Sequence, residues 1–121
     1  KKLSAFLRPA IKRLFKGESD DAYDSIAINL AGNMLGMGGV ATPAGIDAIS
    51  KMQHSGDKAS VNMKLLLVIN GTSIQLIPAT VIALRASAGS ANAASIFLPT
   101  LISSTVATVI GVILCKVFSK K

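Results

Sequence analysis

The feature that most constrains this chain is a run of 30 residues, 86–115, that contains no formal charge. Its second part, 96–115, is almost entirely apolar and is followed by Lys116, Lys120 and Lys121. An uncharged apolar stretch of about 20 residues can cross a bilayer as a helix, and lysines at its end can reach the headgroup layer. The sequence therefore predicts a C-terminal transmembrane helix and a protein of the membrane class.

A second uncharged run covers 65–84, and its ends are apolar while its middle is polar. The polar middle and the proline that follows it are Asn70, Gly71, Thr72, Ser73, Gln75 and Pro78. Backbone groups in hydrocarbon need internal partners, so such a break must face protein or a polar cavity. We predict a discontinuous transmembrane helix here.

A third uncharged run, 25–46, is rich in glycine before the pair Thr42 and Pro43. Each glycine inside a helix costs about 1 kcal/mol relative to alanine, and threonine followed by proline is typical of a helix start. We expect one helix to end near Gly36 and a second to begin near Pro43, with Thr42 as its N-cap. This predicts a re-entrant or broken helical hairpin.

The distribution of basic residues indicates the topology. Lysine and arginine number six in 1–24, three in 47–64 and three at the C-terminus. If basic segments stay cytoplasmic, then 25–46 enters and returns on one side, 65–84 crosses outward and 96–115 crosses back. The alternative is a full crossing at 25–46. Either topology implies a multi-pass membrane protein.

In residues 3–16, apolar side chains at helical spacing form one face and basic side chains fill the other, and Pro9 interrupts the pattern. We interpret 1–17 as a basic amphipathic helix on the membrane surface and 18–121 as a membrane domain. The alternative is a connecting helix packed on the rest of the protein. Pro9 predicts a kink, or a helix that starts at residue 8 or 9.

The polar residues within the apolar runs are the candidates for ligand binding. They could pack helices together, or they could line a polar pocket at membrane depth, as broken helices do in transporters. Arg85 could meet an anionic group there or anchor a helix end at the interface. The candidates are Asn29, Asn33, Gly36, Gly38, Gly39, Thr42, Asn70, Thr72, Ser73, Gln75 and Arg85.

Other classes of function find little support in the residues. His54 is the one histidine and has no second ligand at metal-binding spacing, and Cys115 is typical of a small apolar residue in a helix. The net charge of +7 comes with 4% aromatic residues and no tryptophan, which disfavours nucleic-acid binding. We expect no enzyme activity, no metal and no cofactor.

Three segments carry a resemblance to a known family. NLAGNMLGMGGVATPAGIDAISKMQ (29–53), NGTSIQLIPATVIALRASAGSAN (70–92) and IFLPTLISSTVATVIG (96–111) resemble the spore maturation protein A family, which has a nucleoside-recognition, or Gate, domain. The likeness covers about 10–117. The chain departs from the family pattern at Gly39 and Val40, where members carry Asn-Ala, and at Ala93, where they carry proline.

The resemblance implies a multi-pass integral protein of the bacterial inner (cytoplasmic) membrane with a role in dehydration of the spore core. It implies a partner resembling spore maturation protein B, and a homo-oligomer that covers the polar surfaces of the broken helices is the alternative. From the paired helix breaks we expect transport or gating of a small polar or anionic solute such as a nucleoside. Family members are longer and carry further membrane helices before this region. We therefore expect the chain to lack N-terminal helices of a longer protein. A structural subunit with no solute site is the alternative.

Overall fold

A computed structural model describes residues 2–52 and 57–119, and His54 lies outside these ranges. The described residues form α-helices and one 3-10 turn with no strand, which confirms the all-α prediction. The elements are α1 (Lys2–Leu14), α2 (Asp20–Met34), α3 (Gly38–Lys51), α4 (Val61–Thr72), α5 (Ala79–Ser87), the 3-10 turn (Ala93–Ile96) and α6 (Phe97–Phe118).

The first helix, α1, packs into the core and is continuous through Pro9. The expected start at residue 8 or 9 is therefore wrong. Ile11, in the last turn of α1, and Phe15, just beyond the end of the helix, are buried. Burial of this apolar face outweighs the loss of the single backbone hydrogen bond that a proline removes. Phe6 stays 77% exposed. The division at residue 17 and the placement of α1 on a membrane stay predictions.

The core forms where α1, α2, α3 and α4 meet. Its largest buried side chains include Phe15, Ile26, Leu65 and Leu66. The helices α2 and α3 approach closely, since a Cβ on Gly32 would lie 3.1 Å from the Cβ of Ala41. A small residue at that position is thus required for the two helices to pack side by side.

The start of α3 differs from the prediction. The helix begins at Gly38, not near Pro43, and its N-cap is Met37, not Thr42. The carbonyl of Met37 accepts hydrogen bonds of 3.0 Å from the amides of Val40 and Ala41. Pro43 then lies at the sixth helical position, where it removes only one hydrogen bond close to the helix start.

The predicted break in 65–84 is present. Helix α4 begins after Ser60, whose Oγ accepts a 3.1 Å hydrogen bond from the amide of Met63, and it ends at Thr72. Helix α5 begins at Ala79, so 73–78 separates the two. These residues contain Pro78, which has no amide hydrogen to continue a helix.

The last helix is long and apolar. With the preceding 3-10 turn it spans Ala93–Phe118. Its most apolar 18-residue stretch has a mean hydropathy of 2.1, and 6% of that stretch is buried. In the part of the chain that the structure describes, it is the one helix whose length and composition would allow it to cross a membrane. Many of its large apolar side chains, such as Ile102, Val109 and Ile113, are exposed.

Candidate functional site

The two helix breaks lie against each other. The carbonyl of Met34, at the end of α2, accepts hydrogen bonds from the amides of Leu76 (2.8 Å) and Ile77 (3.1 Å) in the α4–α5 break. Gly36 has φ of 68°, and a Cβ there would lie 2.9 Å from the Ile77 carbonyl oxygen. The orphan backbone groups of one break are thus satisfied partly by the other.

A side-chain hydrogen bond joins the same two regions. Asn33 Nδ2 on α2 donates to Asn70 Oδ1 on α4, and Asn70 Nδ2 donates to the Leu66 carbonyl at 2.9 Å. Ser73 Oγ donates to the Asn70 carbonyl at 2.6 Å. Ser73 has φ of 27°, the one positive φ among the described non-glycine residues, which indicates backbone strain at the break.

A groove of about 620 Å³ lies between the α4–α5 break and one face of α6. We call it the polar groove. Its volume is within the range of small-molecule sites. The backbone amide of Gln75 donates a 3.1 Å hydrogen bond to Ser104 Oγ, which ties the break to α6. None of the described residues that line the groove is charged, and they are Gly71, Thr72, Ser73, Gln75, Ile96, Pro99, Thr100, Ser103, Ser104 and Ala107.

Half of the polar groove's hydroxyl and amide side chains were not identified from the sequence. Thr100, Ser103 and Ser104 lie on α6 at spacings of three and four residues, so they share one face of the helix. That spacing inside the apolar run 96–115 was the signal that could have identified them.

A second cavity, of about 230 Å³, lies between α1, α2, α4 and α6. We call it the apolar cavity. Most of its lining is apolar, including Leu7, Ile11 and Val112. Ser73 lines both this cavity and the polar groove. A single strained residue therefore stands between two spaces of different polarity.

Several predicted site residues lie away from the groove. Asn29 is 1% exposed, and its Nδ2 donates to the Ala41 carbonyl at 2.7 Å, which joins α2 to α3. Gly38 and Gly39 are exposed at the start of α3, with open space at their Cβ positions. Thr42 is exposed within α3.

Arg85 also lies apart from the two breaks. Its guanidinium donates to Ser95 Oγ at 3.1 Å and to the Asn92 carbonyl at 3.5 Å. These contacts fix the connection between α5 and α6. The two roles considered for Arg85, contact with an anionic group and anchoring of a helix end at the membrane interface, stay predictions.

A polar cluster joins α2 to α3 at the opposite end of their hairpin. Ser25 Oγ donates to Asp47 Oδ2, and Lys51 Nζ donates to Asp47 Oδ2 at 2.6 Å and to Ser25 Oγ at 3.1 Å. The hydrogen bond from Lys51, followed by that from Ser25, lowers the pKa of Asp47. The same hydrogen bond to Asp47 raises the pKa of Lys51. A serine nucleophile needs a neighbouring base that accepts its hydroxyl proton, and a protonated Lys51 cannot be that base for Ser25.

Within residues 2–52 and 57–119, no group of three or more His, Cys, Asp or Glu side chains could hold a metal ion. The chemistry that the residues of the polar groove offer is hydrogen bonding by neutral hydroxyl and amide groups. Over this described part of the chain, the fold and the site define an all-helical architecture with one long apolar helix and two helix breaks that meet beside an uncharged polar groove.

Comparison with known proteins agrees with the resemblance found in the sequence. The chain is 33% identical over 120 residues to Spore maturation protein A of Bacillus subtilis (strain 168), and the match covers 95% of this chain. The chain spans 61% of the length of that relative. The similarity supports the spore maturation protein A family for this chain. No family model matches it, and no solved structure matches it.

Proposed function

We propose that the chain is the region of a sporulation-related membrane protein of the spore maturation protein A type that contains the two helix breaks. We propose further that its polar groove binds a small neutral polar solute and controls the passage of that solute. The observation that carries the proposal is the uncharged groove of hydroxyl and amide groups beside two helix breaks. Broken helices that place polar backbone around a cavity are how transporters build solute sites within a membrane.

The membrane placement rests on α6 and on the α2–α3 hairpin. Helix α6 is long, apolar and largely exposed, which suits a helix in contact with lipid. The hydrogen bond between Ser25 and Asp47 brings the two ends of 25–46 side by side. This supports a re-entrant hairpin over a full crossing, with α4 and α5 forming the discontinuous crossing in a bacterial inner membrane.

The lining of the polar groove favours a neutral solute over an anion. Arg85 is bonded to the α5–α6 connection, and none of the described residues that line the groove is a cation. Hydroxyl and amide groups both donate and accept hydrogen bonds, so they suit a solute that carries several hydroxyl or carbonyl groups. A nucleoside has this chemistry, and the domain that the family resemblance implies agrees with it.

Gating would act at Ser73. This residue separates the polar groove from the apolar cavity, and its φ of 27° stores backbone strain. A rearrangement of 73–78 would relieve the strain and open one space to the other. Such a rearrangement would give 73–78 the second arrangement that gating requires.

A structural subunit is the second candidate function. Asn33 and Asn70 bond to each other, and Asn29 bonds to the Ala41 carbonyl, so these amides already act between helices. In that case the protein would assemble with a second copy or a partner resembling spore maturation protein B, in the spore-core dehydration that the family resemblance implies.

Ser103 provides a direct test, because its hydroxyl lines the groove, is exposed and forms no hydrogen bond with another described residue. The intact protein in neutral detergent is screened by thermal shift against nucleosides, dipicolinate, Na⁺ and K⁺. A ligand at 100 times its Kd stabilises by about 2.7 kcal/mol. A nucleoside shift that Ser103→Ala weakens would support the solute site.

The matched control is Thr105→Ala on the same helix. Thr105 Oγ1 donates a 2.7 Å hydrogen bond to the carbonyl of Leu101, one turn earlier, and Thr105 does not line the groove. This variant should keep the ligand shift. No shift with any solute, together with loss of a co-purifying partner on Asn33→Ala, would contradict the solute site and support the structural subunit.

A further inference from the structure

Two basic residues from opposite ends of the chain line one surface pocket. Arg13 lies in the last turn of α1 and Lys116 in the last turn of α6. Together with Pro9, Ala10 and Leu14 they line a pocket of about 640 Å³, which we call the basic pocket. The fold thus brings two cations together against an apolar wall.

Among the residues that the structure describes, no acidic side chain balances the charges of the basic pocket. Arg8 and Lys12, on the same helix as Arg13, pair with Asp20 at 3.3 and 3.0 Å. Within the described part of the chain, neither Arg13 nor Lys116 has an acidic partner, and no acidic residue lines the pocket. The α1 helix therefore has one neutralised basic surface and one basic surface that is free to meet an anion.

The position of the basic pocket indicates the source of the anion. Lys116 is at the end of the long apolar helix, next to Val117 and Phe118, which are 58% and 70% exposed. If α6 crosses a membrane, this end lies at the level of the lipid headgroups. Basic pockets between helices at that depth bind the phosphates of anionic lipids, and the apolar wall suits the glycerol and upper acyl chains.

We infer that the basic pocket holds the phosphate headgroup of an anionic phospholipid, with Arg13 and Lys116 as its two charged contacts. The inference rests on the proposed membrane placement of α6. It assigns a bound lipid to the junction of α1 and α6. It also gives α1 a definite attachment to the membrane in addition to its amphipathic face.

The test measures lipid binding by the intact protein in neutral detergent, by native mass spectrometry and by thermal shift. The probes are dioleoyl phosphatidylglycerol, dioleoyl phosphatidylcholine and inorganic phosphate. The expected result is selective retention of phosphatidylglycerol. Replacing both cations, Arg13→Gln with Lys116→Gln, should weaken it about 30-fold, since each cation near an anionic surface contributes about fivefold.

The control variant removes the same charge elsewhere, at Lys2→Gln with Lys58→Gln, because both lysines are exposed and neither lines the basic pocket. It should retain most of the phosphatidylglycerol. The swap Arg13→Lys with Lys116→Arg keeps both charges and should retain the lipid as well. If the double glutamine variant fails to fold, Lys116→Gln alone is used, with about fivefold weakening expected.

Three results would overturn the inference: equal binding of the two lipids, equal weakening in the two glutamine double variants, or displacement of phosphatidylglycerol by inorganic phosphate. The last would assign the pocket to a free anion. Failure of the membrane placement is recognised separately, because the protein would then be extracted from cell membranes without detergent. If the protein needs detergent but the Arg13→Gln, Lys116→Gln variant binds phosphatidylglycerol as tightly as wild type, the lipid site is wrong and the membrane placement is not affected.

Discussion

Gly36 and Ile77 are in contact across the two helix breaks. Gly36 has φ of 68°, and a Cβ on it would lie 2.9 Å from the Ile77 carbonyl oxygen and 3.1 Å from the Ala79 amide nitrogen. The neighbouring carbonyl of Met34 holds Ile77 in place through the 3.1 Å hydrogen bond. The meeting of the breaks therefore depends on a residue without a side chain at position 36.

Gly36→Ala should destabilise the protein by at least about 1–2 kcal/mol, because alanine disfavours a left-handed backbone and its Cβ would overlap fixed backbone atoms. Gly39→Ala is the matched control. Gly39 is helical and has open space at its Cβ position, so this change should stabilise by about 0.5–1 kcal/mol. Thermal unfolding in detergent measures both. Equal effects of the two substitutions would show that the breaks do not pack as described.

The hydrogen bond between Asn33 and Asn70 should appear as an energetic coupling. In a double-mutant cycle with alanine at both positions, we expect a coupling free energy of about 0.6–1.7 kcal/mol, the range for hydrogen bonds between membrane helices. The reason is that either single substitution leaves the other amide without its partner. The free energy of unfolding of the four proteins gives the coupling.

A second cycle, between Asn33 and Asn62, provides the control. Asn62 bonds to Glu18 and to the Lys16 carbonyl, away from Asn70. These two substitutions should add within about 0.3–0.5 kcal/mol. Coupling of the same size in both cycles would mean that alanine disturbs the fold generally and that the Asn33–Asn70 contact is not specific.

The positions of the helix breaks could be predicted from the sequence. Pro78 and the polar residues before it interrupt an apolar run, and the disruption of a helix by missing donors and competing side chains is local. The end of α2 near Gly36 follows equally from local preference, because the break requires a positive φ there. The long helix α6 was evident from its uncharged apolar run.

The partners of the polar side chains could not be predicted in the same way. Thr42 and Pro43 carry a helix-start signature, but close packing of Ala41 against Gly32 keeps the preceding turn helical. Arg85 reaches Ser95, and this depends on how α5 and α6 are joined. Tertiary packing decides such contacts, and spacing along the chain does not contain that information.

The cluster of Ser25, Asp47 and Lys51 predicts a dependence of stability on pH. The pKa of Asp47 is lowered from 3.8 in the folded protein, so its contribution is present above pH 3.8 and is lost as the pH falls through the folded pKa. The pKa of Lys51 is raised from 10.5, so its contribution is present below pH 10.5 and is lost as the pH rises through the folded pKa.

The unfolding temperature, measured against pH, should therefore fall at both extremes. Lys51→Gln should flatten both limbs, because it removes the largest cause of the lowered pKa of Asp47 and also the group that titrates at high pH. Lys58→Gln, a change of the same charge at an exposed residue outside the cluster, should leave the wild-type profile. A Lys51→Gln profile identical to wild type would show that the cluster does not stabilise the α2–α3 hairpin.

Thr108 lines the apolar cavity from α6, and its Oγ1 is buried without a hydrogen-bond partner among the described residues. An unpaired buried hydroxyl costs about 1–3 kcal/mol, and valine has nearly the same shape. Thr108→Val should therefore raise the stability of the protein by about 1 kcal/mol or more. Thr105→Val, one turn earlier on the same helix, should not, because Thr105 Oγ1 bonds to the Leu101 carbonyl at 2.7 Å. Thermal unfolding of the two variants gives the comparison. If Thr108→Val loses stability and Thr105→Val does not, the Thr108 hydroxyl has a hydrogen-bond partner in the assembled protein. That partner would lie in the apolar cavity, which Thr108 lines.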